Sequence, residues 1–154
     1  MLKIETKIVN PILGHKIPLP FYSTDGSAGI DIRACLDEPL TITPNETLII
    51  PSGFALNIGD PKIMAVLVPR SGLGIKQGIV LANLVGIIDS DYHGEIQVGL
   101  WNRGNSNFIV YPGDRICQMI FIPILQVRLD LVTEFSPSQF PQRGIQGLGH
   151  SGVQ

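Results

Sequence analysis

Glycine or proline interrupts almost every apolar run of this chain before the run is long enough to make a helix. The sequence holds 17 glycines and 12 prolines, nearly a fifth of its 154 residues. Between them lie short stretches that alternate apolar and polar residues or stay apolar for a few positions, which is how strands bounded by turns read. The expected strands are Lys3 to Val9, Gly29 to Cys35, Thr47 to Ile50, Phe54 to Ile58, Ile63 to Val68, Ile79 to Leu81, Glu95 to Asn102, Phe108 to Tyr111, Arg115 to Ile122 and Gln126 to Val132. No stretch sustains a helical period. Arg70 to Gln77 has room for a single turn, because its glycines oppose anything longer. The pattern is all-β, and periodicity alone leaves a sandwich, a jelly roll or a barrel open.

A chain of this length is most simply one domain, able to bury roughly 70% of the surface its unfolded form exposes. Hydrophobic residues at 44% against charged residues at 16% argue for a compact fold rather than disorder. The net charge of −2 and an isoelectric point near 5.8 offer no general attraction to nucleic acid or to an anionic membrane. An anionic ligand must therefore be met by local groups. Cys35 and Cys117 stand alone, with neither a paired cysteine nor a histidine at metal spacing, so two free thiols in a reducing cytoplasm are expected. The N-terminus alternates charge and apolarity where a signal peptide would carry a continuous apolar core. Met119 to Leu125, the longest apolar run, is too short to span a bilayer. Near Phe135 the composition changes. Serines, prolines and the glycines from Gly144 to Gly152 leave little to bury, so the domain is expected over residues 1–135, followed by a flexible glycine-rich arm over 136–154.

Polar chemistry concentrates in Asn83 to Gly94, where an amide, two carboxylates and a tyrosine follow apolar Leu84, Val85, Ile87 and Ile88. Burial makes a carboxylate more avid for a proton, as a general base near neutral pH requires. Asp89, at the end of an apparently buried run, is expected to be that base, and Asp91, further into the turn, to be in water. A plain hairpin whose aspartates favour the turn is the competing reading. Pro69 to Gly74, Pro-Arg-Ser-Gly-Leu-Gly, can present a guanidinium, a hydroxyl and open backbone to phosphate. Gly113 to Gln118 opens a strand whose alternation assigns Arg115, Cys117 and Met119 to one face, and Asp114, Ile116, Gln118 and Ile120 to the other. Gln118 then needs a polar partner on a partly apolar face. Asp31 lies between Ile30 and Ile32 in Ala28 to Ala34. Gly147 to Gly152 spells G-x-G-x-x-G, but only two residues follow, so no dinucleotide fold can be built on it. Its glycines still allow backbone N–H groups near phosphate oxygens, with Arg143 and Ser151 adding charge and a hydroxyl. Trp101, Tyr22 and Tyr111 read as core or interface, and the scattered His15, His93 and His150 support no metal or triad site.

These elements, in order, resemble the five motifs of the trimeric dUTPase family: Ala28-Gly-Ile-Asp-Ile-Arg-Ala34, Pro69-Arg-Ser-Gly-Leu-Gly74, Gly86-Ile-Ile-Asp-Ser-Asp-Tyr-His-Gly94, Gly113-Asp-Arg-Ile-Cys-Gln118, and Arg143-Gly-Ile-Gln-Gly-Leu-Gly-His-Ser-Gly152. The resemblance covers nearly the whole chain. It implies a β jelly roll, a homotrimer with active sites at subunit interfaces, and hydrolysis of dUTP to dUMP and diphosphate with Mg²⁺ held mainly by the triphosphate. It further implies that Asp89 activates the attacking water, and that Asn83, Gly86, Ile87, Ile88 and Gln97 hold the uracil. By the same resemblance Tyr92 packs on the deoxyribose, and Arg70, Ser71, Gly72 and Gln118 contact phosphates. Asp31 would reach the metal through water, and the arm, with Arg143, Leu148, Gly149 and Ser151, would close over a neighbouring subunit's site. Many members carry phenylalanine where this chain has Leu148, which implies weaker closure by up to about 1 kcal/mol, the scale of aromatic pairs. A dCTP deaminase of the same fold and a nucleotide sensor without turnover are the rival readings.

Overall fold

The computed structural model of the chain describes residues 2–137. Ten strands carry almost all of its regular structure: β1 (Glu5–Ile8), β2 (Ile30–Arg33), β3 (Leu40–Ile42), β4 (Thr47–Asn57), β5 (Ile63–Pro69), β6 (Ile79–Leu81), β7 (Gly86–Ile88), β8 (Glu95–Asn102), β9 (Phe108–Val110) and β10 (Arg115–Pro123). They form one sheet of order β1-β4-β8-β6, a second of order β2-β10-β5-β7, and a small pair β3-β9. Every pairing is antiparallel. The expectation of an all-β fold is met, with its strands in two main sheets.

Alternation drives the packing. Along β8, Ile96, Val98, Leu100 and Asn102 are buried while the residues between them are not, so one face of the strand enters the core. Ile50, Phe54, Ile96, Val98 and Leu100 of the first sheet meet Ile32, Ala65, Leu67, Cys117 and Met119 of the second in one cluster. Each fully buried aliphatic side chain contributes about 1.5–3 kcal/mol relative to exposure. Asn102 is the polar exception, satisfied by donating to the Ile42 and Ser106 carbonyls and accepting from the Gly104 N–H.

Three expectations change. Thr47 to Ile50 and Phe54 to Ile58 are one strand, joined across a register shift between Pro51 and Ala55. Gly53 makes the joint possible, with φ of +80° and no room for a Cβ against the Cys35 sulfur. β3, hidden in the sequence between Pro39 and Pro44, forms because β9 pairs with it. It ends in a turn where the Glu46 carboxylate accepts from both the Thr43 N–H (2.7 Å) and its hydroxyl (2.8 Å), which holds the Glu46 carboxyl below its usual range. Gln126 to Val132, expected as a strand, is not one. Its alternation is real, but no strand among the described residues pairs with it, and Val127, Leu129 and Leu131 are exposed.

Candidate active site

Strands β2, β10 and β5 lie side by side, with Asp31, Gln118 and Val68 as direct cross-strand partners. Ile32 and Met119 point into the core, so Asp31 and Gln118 share the opposite face. Arg70, just beyond the end of β5, turns back to this face. Its Nε is 3.2 Å from Asp31 Oδ1, and its Nη1 donates to the Arg115 carbonyl at 3.2 Å. Arg115 adds its own Nη1 at 3.5 Å from Asp31 Oδ2. The Asp31 side chain is only 13% exposed, and Oδ1 receives no hydrogen bond, because the nearby guanidinium is an ion-pair contact without hydrogen-bond alignment.

The sequence pattern misjudged Arg115. Alternation assigned it to the face opposite Gln118, yet it sits beside Asp31. The cause is a β-bulge: Arg115 opposes Arg33, Cys117 opposes Ile32, and Ile116 is the extra residue between them. One inserted residue flips every side chain before it to the other face. Arg115 is thus a site residue missing from the sequence-based set. Its signal, an arginine two positions after Gly113, is visible only once the bulge is known.

Ser71 and Gly72 follow Arg70 at the start of a short helical segment that widens into a π-helical turn over Leu73–Gln77, where the sequence left room for a single turn. Gly74 N–H bonds back to the Arg70 carbonyl at 2.9 Å. Both Ser71 and Gly72 are exposed, and the space where a Gly72 Cβ would stand is open. Backbone and hydroxyl here are accessible to an anion approaching the Asp31, Arg70, Arg115, Gln118 group.

Asn83 lies in a turn shaped by Leu84 at φ of +64° and closed by Val85 N–H to the Asn83 carbonyl at 2.7 Å. Gly86 follows, buried, with its pro-Cβ position 3.0 Å from Leu67. The stretch Asn83 to Gly94 is not a hairpin. β7 pairs with β5, whereas β8 pairs with β4 and β6, so the chain crosses from one sheet to the other through residues 89–94. The buried run expected before Asp89 is also absent. β7 is a three-residue edge strand with no strand among the described residues beyond it, and Leu84, Val85 and Ile87 are exposed. Asp89 and Asp91 are both exposed, so burial does not distinguish them here. Tyr92 folds over Gly94, and its hydroxyl donates to the Glu95 carbonyl at 3.1 Å. Gln97 is exposed on β8, in a different sheet from Ile87 and Ile88.

The expected site residues therefore fall into two groups. Ile88 opposes Ala65 in the ladder, and Arg70 lies five residues further along, so at strand rise the Asp89 loop is about 16 Å from the Asp31 and Arg70 group. Asp89 lines a separate cleft of about 660 Å³ with Asn57, Met64, Asp91 and His93. Arg143, Leu148, Gly149 and Ser151 lie outside the described residues.

The model of the dUTPase family matches residues 15–152. A deoxyuridine 5'-triphosphate nucleotidohydrolase of Escherichia coli O45:K1 is 51% identical over all of both chains. The chain belongs to the dUTPase family. A second dUTPase relative, from Cronobacter sakazakii, is 52% identical over 99% of this chain and 98% of its own. Among solved structures, the Staphylococcus bacteriophage 80alpha dUTPase with dUpNHpp shares the fold at a TM-score of 0.85 and 23% identity, covering 99% of this chain and all of that one. A mutant dUTPase from phage phi11 of Staphylococcus aureus, described with a structural Mg(II) ion, aligns at 0.76 and 21% over 87% and 99% of the two chains.

Magnesium prefers oxygen ligands and keeps several waters, relying on one or two carboxylates plus substrate phosphates. Among the described residues no three His, Cys, Asp or Glu side chains gather to hold a metal. In this dUTPase chain the group around Arg70 and Gln118 supplies one carboxylate, Asp31, with an oxygen free of hydrogen bonds and two guanidiniums beside it. That donor set fits a cation carried mainly by a triphosphate and touched by Asp31 through water. It does not fit a cation caged by protein alone. No helix of the described residues is long and apolar enough to cross a membrane.

Proposed function

We propose that this chain hydrolyses dUTP to dUMP and diphosphate, as a cytoplasmic homotrimer whose active sites are shared between subunits. The observation that carries the shared site is the division of the expected residues on one protomer. A base acting at the α-phosphorus must stand within a few ångströms of the groups holding the phosphates, and about 16 Å along β5 separates Asp89 from Arg70. A second copy can bring its Asp89 loop to the first copy's Asp31, Arg70 and Gln118. The exposed apolar residues Leu84, Val85 and Ile87 beside the loop, and Val127, Leu129 and Leu131 beyond β10, support burial against such copies.

In this reading Asp89 takes a proton from water as the water oxygen bonds to the α-phosphorus, and the bond from that phosphorus to the bridging oxygen breaks to release diphosphate. Arg70, Ser71, Gly72 and Gln118 hold phosphate oxygens, and Arg115 keeps Asp31 and Arg70 in register. Asp31 would hold a magnesium ion through water, and the ion would supply charge neutralisation to the triphosphate. Asn83 and the backbone of Gly86, Ile87 and Ile88, with Gln97, read the uracil edge, rejecting cytosine through mismatched donors and acceptors. Tyr92 against the sugar leaves no room for a 2′-hydroxyl. Residues 136–154 close the site through Arg143, Leu148, Gly149 and Ser151. The dUMP formed supplies thymidylate synthesis.

Turnover on dUTP, dTTP, dCTP and UTP tests the reading. Diphosphate release from dUTP at least about 10²-fold faster than from the others is expected, the scale on which a fitted pocket rejects one extra small group, with mismatched hydrogen-bonding groups giving more. Ammonia release from dCTP would assign a deaminase instead.

A further inference from the structure

The loop Asp89 to Gly94 joins two sheets that do not pair with each other through it, so something must fix its path. One fastening is backbone: Gly59 N–H donates to the Ser90 carbonyl at 3.2 Å. The second runs through side chains. His93 Nε2 lies 3.1 Å from Asn57 Oδ1, and Asn57 Nδ2 donates to Glu5 Oε2 at 2.7 Å. We infer that Glu5, Asn57 and His93 form a hydrogen-bonded relay that positions the Asp89–Gly94 loop for turnover and for sugar discrimination. The inference rests on the hydrolase reading above and concerns residues that touch no nucleotide in it.

The polarity of the relay follows from its far end. An ionised carboxylate only accepts, so the Asn57 amide must point its nitrogen at Glu5 and its oxygen at the loop. His93 Nε2 must then carry a hydrogen, in the neutral ring and in the imidazolium alike. Glu5 and Asn57 are cross-strand partners in the β1–β4 ladder, so backbone pairing fixes the position of the acceptor oxygen. At the receiving end, His93 sits between Tyr92 and Gly94. Those two are in such close contact that a Cβ on Gly94 would collide with the Tyr92 hydroxyl and ring, so displacing His93 displaces Tyr92. His93 also lines the same cleft as Asp89. Glu5, Asn57 and His93 are all exposed, and exposed hydrogen bonds contribute little to global stability. Their loss should therefore be read in function rather than in melting.

The test uses the full-length protein in its native assembly, with kcat and KM measured for dUTP and UTP and thermal midpoints recorded in parallel. His93→Leu and Asn57→Leu each remove one link. Each is expected to lower kcat for dUTP on the order of ten-fold, with KM changing less, because small misplacement of reacting groups is costly. The dUTP-over-UTP preference should fall as well, and midpoints should stay within a few degrees. His93→Gln, whose amide nitrogen can still donate to Asn57, should recover most of the rate. Glu5→Ala, on a different strand, should move kcat in the same direction by a smaller factor, and Glu5→Gln should not. The relay is overturned if both leucine variants keep the wild-type kcat and preference, or if His93→Gln is as impaired as His93→Leu. A wild-type protein that releases no diphosphate from dUTP would instead sink the hydrolase reading and, with it, the relay's purpose.

Discussion

Asp89 and Asp91 stand two residues apart and are both exposed, so local burial does not choose between them as the proposed base. In the proposed trimer, what would separate them is what a second copy covers. Asp89 directly follows β7, beside the exposed apolar patch of Leu84, Val85 and Ile87, whereas Asp91 is further out on the loop. Asp89→Asn should therefore lower kcat at least 10²-fold, the usual worth of a general base, while leaving dUTP binding near wild type. Asp91→Asn should keep activity within a few-fold. Steady-state rates with binding of a non-hydrolysable dUTP analogue check both, and an active Asp89→Asn would remove the base. Cys117 carries a different prediction. Burial first, and the Asp31 charge second, push its thiol from 9.0 up to about 12. The folded state thus binds this proton more tightly than the unfolded state. Its stabilising contribution is complete below pH 9.0 and drains away as pH rises toward about 12. Cys117→Ala should lose about 1 kcal/mol at neutral pH from the cavity, yet its urea midpoint should fall less steeply than wild type's above about pH 9. Parallel slopes would show that the thiol does not ionise on unfolding.

The loop from Asp89 to Gly94 is held by a contact that only glycine permits. Gly94→Ala would drive its methyl into the Tyr92 ring and hydroxyl, breaking the bond to the Glu95 carbonyl. The expected result is a several-fold lower kcat for dUTP and a smaller preference over UTP, on the order of ten-fold, as for other misplaced contact groups. Wild-type discrimination in this variant would mean that Tyr92 does not guard the sugar. Elements of this kind were legible in the sequence to different depths. The strands with clean alternation, β8 above all, read directly because one face of each is buried by its own chain. The bulge at Ile116 did not, since an inserted residue leaves no compositional trace, and with it went the correct face for Arg115. β3 was hidden by flanking prolines and depends on a partner, β9, more than sixty residues away. Gln126 to Val132 failed in the opposite direction: its alternation matches a strand, but no strand among the described residues pairs with it.

On a whole protomer, then, what the sequence left ambiguous is mostly what a single chain leaves unfinished. The motif order implies sites shared between subunits, and the strand register gives the physical reason: one copy keeps Asp89 about 16 Å along β5 from Arg70. If sites are shared, two dead variants should repair each other. A protein with Asp89→Asn retains Arg70, and one with Arg70→Ala retains Asp89. Unfolded together in equal amounts and refolded, they should assemble at random into trimers. A site that draws its base from one copy and its arginine from another is intact when the first position holds the Arg70→Ala chain and the second the Asp89→Asn chain. With equal, independent occupancy that is one half times one half, so about a quarter of wild-type activity should return in closed symmetric assemblies. A site built within one chain would return none, because every chain in the mixture carries one lesion. Light scattering on the same samples should give a mass of three chains, and activity that stays at zero in correctly assembled trimers would place Asp89 and Arg70 in the same protomer's site.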